Sequence, residues 1–158
     1  MRIQFAGSGD AFGSGGRRQT CIHLTDGDQA MLVDCGTTIL TGLKACGLDV
    51  NSISAIAVSH LHGDHFGGIP FLILDGQFSD RTAPLVIAGP PGTRERLNQA
   101  METLFPGSTG VRRRFEISDD LAERVLDLGE VSRLAIAGTS DFSPVVLLLN
   151  CRRRVVGA

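Results

Sequence analysis

The stretch Val58-Ser59-His60-Leu61-His62-Gly63-Asp64-His65-Phe66-Gly67-Gly68-Ile69-Pro70 follows an apolar run and contains four candidate metal ligands within six residues. These candidates use three of the four histidines in the chain and are His60, His62, Asp64 and His65. Imidazole nitrogen and carboxylate oxygen suit zinc, and iron or manganese accepts the same mixture of ligands. The stretch therefore predicts a metal site and leaves the identity of the ion open.

The position of this motif after an apolar run predicts how its ligands divide between two ions. The apolar run favours a strand, and alternate side chains of an extended chain point the same way, so His60 and His62 should hold one ion together. Gly63 permits a tight bend, after which Asp64 and His65 can turn toward a second ion. The residues alone leave one alternative, in which the histidines bind no metal and only lie on a polar loop or cap the next helix.

Hydrophobic patterns along the rest of the chain predict a mixed α/β protein. A turn at 26–28, Asp-Gly-Asp, lies between two strand-like runs and is a strong hairpin signal. Strands are predicted at 2–6, 20–25, 29–34, 53–58, 84–88, 111–117, 131–137 and 145–151, helices at 37–46, 66–74 and 92–104, and either type at 122–128. Such a mixture favours stacked layers, with sheet inside and helices outside.

Several segments together resemble a known superfamily. Val58–Pro70 resembles the His-x-His-x-Asp-His signature of the metallo-beta-lactamase fold superfamily, and Ile3–Gly16, Leu32–Gly36 and Ile87–Gly92 resemble its ribonuclease Z-like phosphodiesterase branch. The resemblance implies an α/β (α+β) fold, the metallo-beta-lactamase-like αββα sandwich, incomplete in its second half. Residues 1–158 would then form a single domain that corresponds to the N-terminal portion of the full fold.

The resemblance also implies a chemistry for the motif. In such proteins two ions, Zn²⁺ by preference with Mn²⁺ or Fe as alternatives, activate a water molecule that attacks phosphorus. His60, His62, Asp64 and His65 would be the metal ligands, and Asp64 would also orient or deprotonate the water. Asp34, in Leu-Val-Asp-Cys-Gly, would support the motif loop by hydrogen bonds, and its alternative interpretation is a turn or helix-cap residue.

The later part of the sequence departs from the pattern of this superfamily. Where relatives have a third histidine this chain has Gly138, and the nearby Asp141 is either a substitute ligand or an ordinary solvated aspartate. His23 lies in a strand pattern and is predicted to be structural or at the surface. An incomplete second half would leave apolar sheet surface uncovered, which predicts pairing with another copy or another chain.

Two functions are therefore predicted. The first is a metal-dependent hydrolase, phosphodiesterase-like, acting on a small-molecule or nucleic-acid phosphodiester. The alternative is a truncated or degenerate family member that binds metal weakly, catalyses nothing and acts as an association module or pseudoenzyme.

The charge balance limits the classes of partner. Fifteen basic and 17 acidic residues give a net charge of −2, so no global field favours nucleic acid or a membrane surface. Phosphate recognition must then be local. The glycine-rich loop 8–18, which ends in Arg17-Arg18, could contact a phosphodiester or could be a plain connector. The arginine runs 112–114 and 152–154 are interpreted as solvated strand ends.

Composition also predicts where the protein functions. The apolar stretches are too short to span a bilayer, so no membrane partner is expected and the cytoplasm is the default location. The four cysteines lack paired Cys-x-x-Cys spacing and are predicted to be reduced thiols in the core: Cys21, Cys35, Cys46 and Cys151.

Overall fold

The structure is a computed structural model that describes residues 1–110 and four later strands, Phe115–Ser118, Leu126–Asp127, Ser132–Ala137 and Val146–Cys151. Some sequence predictions fall outside the described residues: Gly138, Asp141, the arginine runs 112–114 and 152–154, and the side chain of Cys151. None of the helices in the described part of the chain is both long and apolar enough to cross a membrane.

Nine strands form two sheets in the described residues. The first sheet has the order β1-β2-β3-β4-β5-β6; its first three strands are antiparallel neighbours, and β3 to β6 run parallel. The second sheet is antiparallel, with the order β7-β8-β9. The strands are β1 (Arg2–Gly7), β2 (Cys21–Asp26), β3 (Gln29–Val33), β4 (Ile53–Ala57), β5 (Leu85–Ala88), β6 (Phe115–Ser118), β7 (Leu126–Asp127), β8 (Ser132–Ala137) and β9 (Val146–Cys151).

The predicted hairpin between β2 and β3 is confirmed. Asp26 pairs with Gln29, which leaves a two-residue turn, and Gly27 has φ 55°. A left-handed residue at this place matches the twist of the two strands, and glycine adopts that conformation without a steric penalty.

In the described part of the chain, four α-helices accompany the first sheet: α1 (Ile39–Ala45), α2 (Gly63–Phe66), α3 (Ile69–Phe78) and α4 (Thr93–Leu104). Their buried side chains form one hydrophobic cluster with a row of neighbouring strand residues, Leu32, Ile56 and Ile87. The alternating strand residues form a second cluster on the opposite face, including Met31, Val33, Ala55, Ala57 and Ala88. The parallel strands are thus buried on both faces, which explains why they are continuously apolar in sequence.

The predicted helix at 66–74 is wrong in its extent, because two helices occupy this region. α2 ends at Phe66 and α3 begins at Ile69. Between them the Gly68 N–H donates to the Cys35 carbonyl (2.8 Å), so the chain packs closely on the segment after β3. At Gly63 the chain passes from the extended His62 directly into α2, so the change of direction expected there is the start of a helix.

Cysteine burial is confirmed in part. Cys21 and Cys35 are completely buried, whereas Cys46 at the end of α1 is only half-buried. Burial raises the pKa of both buried thiols, to about 12 for Cys35. These two side chains are therefore neutral thiols at physiological pH and behave as small apolar core residues.

A buried arginine joins the amino ends of β4 and β5. The Arg81 guanidinium donates to the carbonyls of Val50 (3.1 Å), Ala83 (2.9 Å) and Pro84 (3.0 Å), and also to that of Ile53. Burial lowers its pKa, although the group remains a cation. The guanidinium thus satisfies carbonyls at the amino ends of the parallel strands, the end opposite to the one where the motif lies.

Candidate metal centre

The motif lies where β4 ends. The Val58 N–H donates to the Ala88 carbonyl (2.7 Å), and the Asp34 N–H donates to the Ala57 carbonyl (2.8 Å). The ends of β3, β4 and β5 are therefore held side by side. Side chains that follow these strands gather at the carboxyl edge of the sheet, the usual place for a site in an open α/β sheet.

His60 and His62 converge as their spacing predicts. His60 Nε2 and His62 Nδ1 are 3.2 Å apart, and the two rings meet edge to face with centroids 4.7 Å apart. Two nitrogens bound to one tetrahedral zinc, with bonds of about 2.0–2.1 Å, would be about 3.3 Å apart. The separation in this structure therefore fits two ligands of a single ion.

Asp64 and His65 form a second pair beside the first. His65 Nε2 and Asp64 Oδ2 are 3.3 Å apart, again close to the separation of two ligands on one ion, about 3.4 Å. The rings of His60 and His65 have centroids 4.0 Å apart, so the two pairs are adjacent. Among the described residues, no three His, Cys, Asp or Glu side chains are grouped so that they could hold one ion.

Asp34 lies behind these pairs and is connected to both. Its Oδ1 accepts the Ser59 N–H (2.7 Å), and its Oδ2 accepts the Ser59 hydroxyl (2.8 Å) and contacts His65 Nδ1 (2.8 Å). Asp34 is buried and has φ 61°, a left-handed conformation that is unfavourable for most side chains. The chain is held in this conformation just after β3 by the same hydrogen bonds that fix the motif loop.

The surroundings change the pKa values of two histidines in opposite directions. The hydrogen bond to Asp34 raises the pKa of His65, with a further contribution from the charges of Asp34 and Asp64 that outweighs partial burial. Burial lowers the pKa of His60, and the neighbouring His65 and His62 lower it further. A neutral His60 has a free nitrogen lone pair, which is the form that binds a metal.

Close backbone packing fixes the position of the Asp64–His65 pair. The Cys35 N–H donates to the His65 carbonyl (2.6 Å). A Cβ added to Gly36 would lie 2.3 Å from the Asp64 carbonyl oxygen, so only glycine allows this approach. The segment after β3 thus supports the motif through its backbone as well as through Asp34.

The glycine-rich loop 8–18 is anchored next to this segment. The Gly9 N–H donates to the Arg18 carbonyl (2.6 Å), and Gln19, which follows the loop, accepts the Thr37 hydroxyl (2.7 Å). Asp10 Oδ1 accepts N–H groups within the loop, and hydrogen bonding to Ser14 is the main reason that its pKa falls to about 2. Loop 8–18 is therefore more ordered than a plain connector, and it leaves both arginines exposed.

Sequence reasoning located five of the six residues in this network and missed Ser59. Ser59 has a hydroxyl group and directly precedes His60. Its position after the apolar run is the only feature of the sequence that could have indicated a role at the site. His23 is separate from the site, because it lies within β2 between Gln4 of β1 and Leu32 of β3 and is buried. The sequence left His23 as either structural or at the surface, and its burial excludes the surface position.

Comparison with solved structures defines the class of protein. Human tRNase Z, short form, superposes with a TM-score of 0.62 at 30% identity over 74% of this chain and 44% of that chain. The metallo-beta-lactamase fold protein YhfI from Bacillus subtilis gives a TM-score of 0.71 at 19% identity over 94% of this chain and 57% of that one. The fold is thus that of the metallo-beta-lactamase superfamily, as the motifs predict.

Sequence comparison then gives the family. The chain belongs to the family described as Anti-Pycsar protein Apyc1, whose model matches residues 1–114. It is also 39% identical to Ribonuclease Z from Methanosarcina acetivorans over 95 residues, 60% of this chain and 31% of the relative. Ribonuclease Z from Methanococcus maripaludis is 30% identical over 126 residues, 80% of this chain and 41% of the relative. The chain therefore spans less than half the length of these relatives.

Proposed function

We propose that this protein is a metal-dependent hydrolase that cleaves phosphodiester bonds. The observation that carries the proposal is the pair of ligand separations, 3.2 Å between His60 and His62 and 3.3 Å between Asp64 and His65, each fitting one ion. The ribonuclease names of the relatives support a phosphodiester as the bond that is cleaved.

In this proposal the three motif histidines and Asp64 each have a defined role. His60 Nε2 and His62 Nδ1 would hold one divalent ion, and Asp64 Oδ2 and His65 Nε2 would hold the other. Divalent ions at such a site make a water molecule more acidic and neutralise charge on phosphate oxygens. Asp64 would orient this water and receive its proton, while Asp34 fixes the motif loop.

The identity of the ions and of the substrate belongs to the same proposal. Mixed nitrogen and oxygen ligands favour Zn²⁺, with Mn²⁺ or Fe as alternatives. The substrate is proposed to be a small-molecule or nucleic-acid phosphodiester, with exposed Arg17 and Arg18 near its phosphate. A single domain and a cytoplasmic location stay predictions from the sequence.

Metal content and turnover test the proposal together. We expect the purified protein to hold close to two ions per chain by elemental mass spectrometry and to hydrolyse bis(p-nitrophenyl) phosphate when zinc or manganese is present. His62→Ala should lower the rate at least about 100-fold, because it removes a ligand of the reacting centre. His23→Gln, which removes an imidazole outside the site, should retain metal and activity. Metal-free protein without turnover under these conditions would refute the proposal.

The second candidate function is an association module without catalysis. It is favoured by the presence of only two ligands per ion among the described residues, whereas catalytic zinc usually has three protein ligands. This candidate predicts weak metal binding together with self-association. Tight binding of two ions by a monomer that turns over substrate would exclude it.

A further inference from the structure

Ser59 lies between the buried carboxylate of Asp34 and the first histidine of the motif. We propose that Ser59 is a positioning residue that, with Asp34, sets the tautomers of His60 and His65, so that both rings present Nε2 to the metal ions. The role toward metal rests on the proposed function, whereas the tautomers are a property of the protein itself.

The contacts of the Ser59 side chain carry the first step. Its Oγ is 2.8 Å from Asp34 Oδ2, 3.1 Å from His60 Nδ1 and 3.4 Å from His65 Nδ1. The shorter two contacts have hydrogen-bond distances, and the third is long. The hydroxyl is therefore placed between one carboxylate oxygen and one ring nitrogen.

The number of available protons decides which group is the donor in each hydrogen bond of Ser59. An ionised carboxylate only accepts, so the single Ser59 hydroxyl proton goes to Asp34 Oδ2. The Ser59 oxygen then has only lone pairs left for His60 Nδ1, which must carry the proton of that bond. In a neutral imidazole a proton on Nδ1 leaves Nε2 unprotonated.

His65 reaches the same state through a different contact. Its Nδ1 is 2.8 Å from Asp34 Oδ2, which can only accept, so Nδ1 carries the proton. Its Nε2 then faces Asp64 Oδ2, as His60 Nε2 faces His62 Nδ1. The Asp34 carboxylate and the Ser59 hydroxyl thus leave the same ring nitrogen, Nε2, unprotonated in both His60 and His65. This nitrogen is then available to bind an ion.

The tautomers are measured on the metal-free protein, so the first readout needs no ion. Long-range ¹H–¹⁵N correlation spectra of the histidine rings, at a pH where they are neutral, should give Nδ1–H for both His60 and His65. An Nε2–H tautomer at His60 in the unsubstituted protein would overturn the proposal without any variant.

Three variants separate positioning from a general structural effect. Ser59→Ala keeps the backbone N–H that Asp34 accepts but removes the hydroxyl, so His60 should lose its preference for Nδ1–H. Ser59→Thr retains a hydroxyl and should restore the preference. Ser54→Ala removes a hydroxyl within β4, which donates to the Ala30 carbonyl (2.9 Å) away from the motif, and should leave both rings unchanged.

Zinc titration followed by calorimetry supplies the second readout. We expect Ser59→Ala to weaken zinc binding about 10- to 100-fold, the usual effect of losing a partner of a ligating histidine, and Ser59→Thr to recover most of it. An unchanged His60 tautomer or unchanged zinc affinity in Ser59→Ala would overturn the inference even if the protein is an active hydrolase. If the unsubstituted protein binds no zinc while its tautomers depend on Ser59, the proposed function fails and the positioning of the rings stands.

Discussion

His23 is a buried imidazole that no part of the proposed chemistry uses. It is 4% exposed in β2, and its Nε2 has no hydrogen-bond partner among the described residues. Burial lowers its pKa below the ordinary value of 6.5, and the charge of Arg2 lowers it further. Because protonation would place a charge in the core, the folded state favours the neutral form.

We expect the free energy of unfolding to fall as the pH decreases below about 6.5, in part because of His23. The folded-state pKa is depressed, so the unfolded chain binds more protons between that pKa and 6.5, and stability is complete only above 6.5. Urea unfolding of the protein and of His23→Gln is measured across this pH range. The difference between the two proteins gives the contribution of His23, since all other ionisable groups are the same in both. Identical pH dependence in the two proteins would contradict the prediction.

At the scale of elements, two backbone segments pack against each other without intervening side chains. The Gly36 carbonyl oxygen lies 2.1 Å from the position that a Gly68 Cβ would take, in the link between α2 and α3. This contact lies at the break between α2 and α3, where Pro70 in the first turn of α3 has no N–H to continue the ladder of α2. It also holds α2, which carries Asp64 and His65, on the segment that begins with Asp34.

Gly68→Ala should therefore destabilise the fold, whereas Gly63→Ala should not. The new Cβ at Gly68 meets backbone that cannot rotate away, and such overpacking costs about 1–3 kcal/mol. A Cβ at Gly63 meets nothing within 4 Å, and this residue begins a helix, so its effect should stay within about 0.5 kcal/mol. Chemical denaturation of both variants checks the prediction, and equal stability of the two would refute it.

At the scale of the whole molecule, one side of α3 is apolar and exposed. Phe71 and Phe78 are exposed on this side, with the half-buried Leu74 between them at helical spacing. Phe78 is 85% exposed, and the Phe71 ring packs edge to face on Phe105 at 5.2 Å. Leu104 at the end of α4 is also exposed. Apolar patches of this kind occur at interaction surfaces. The pairing expected from the sequence concerned uncovered sheet surface, and it stays a prediction.

We expect the protein to self-associate and Phe78→Ser to shift it toward the monomer. Removing the most exposed ring of α3 lowers the apolar area that a second copy could cover. Phe12→Ser is the matched control, because Phe12 is 92% exposed but lies on loop 8–18. Sedimentation equilibrium gives the masses of all three proteins. A monomeric parent protein, or a larger effect of Phe12→Ser, would contradict the prediction.

Local chemistry along the chain was sufficient for much of the fold and for the metal-ligand candidates. The Asp-Gly-Asp turn, the apolar strands and the spacing of His60 and His62 depend only on near neighbours in sequence, so each could be predicted from its own pattern. The break between α2 and α3 has a local and a tertiary cause. Gly67-Gly68 and Pro70, which lies in the first turn of α3, mark it in the sequence, and the Gly68 backbone packs on the distant Gly36.

Local sequence patterns were enough to identify the candidate metal ligands and to place them after a buried strand. Their orientation depends on the fold, because the network of Asp34 with Ser59 and His65 joins residues 25 and 31 positions apart. Hydrogen-bond partners at that separation depend on the parallel pairing of β3 with β4, which no local pattern specifies. Burial of His23 was decided in the same way, since its environment comes from both neighbouring strands and the helix-covered face of the sheet.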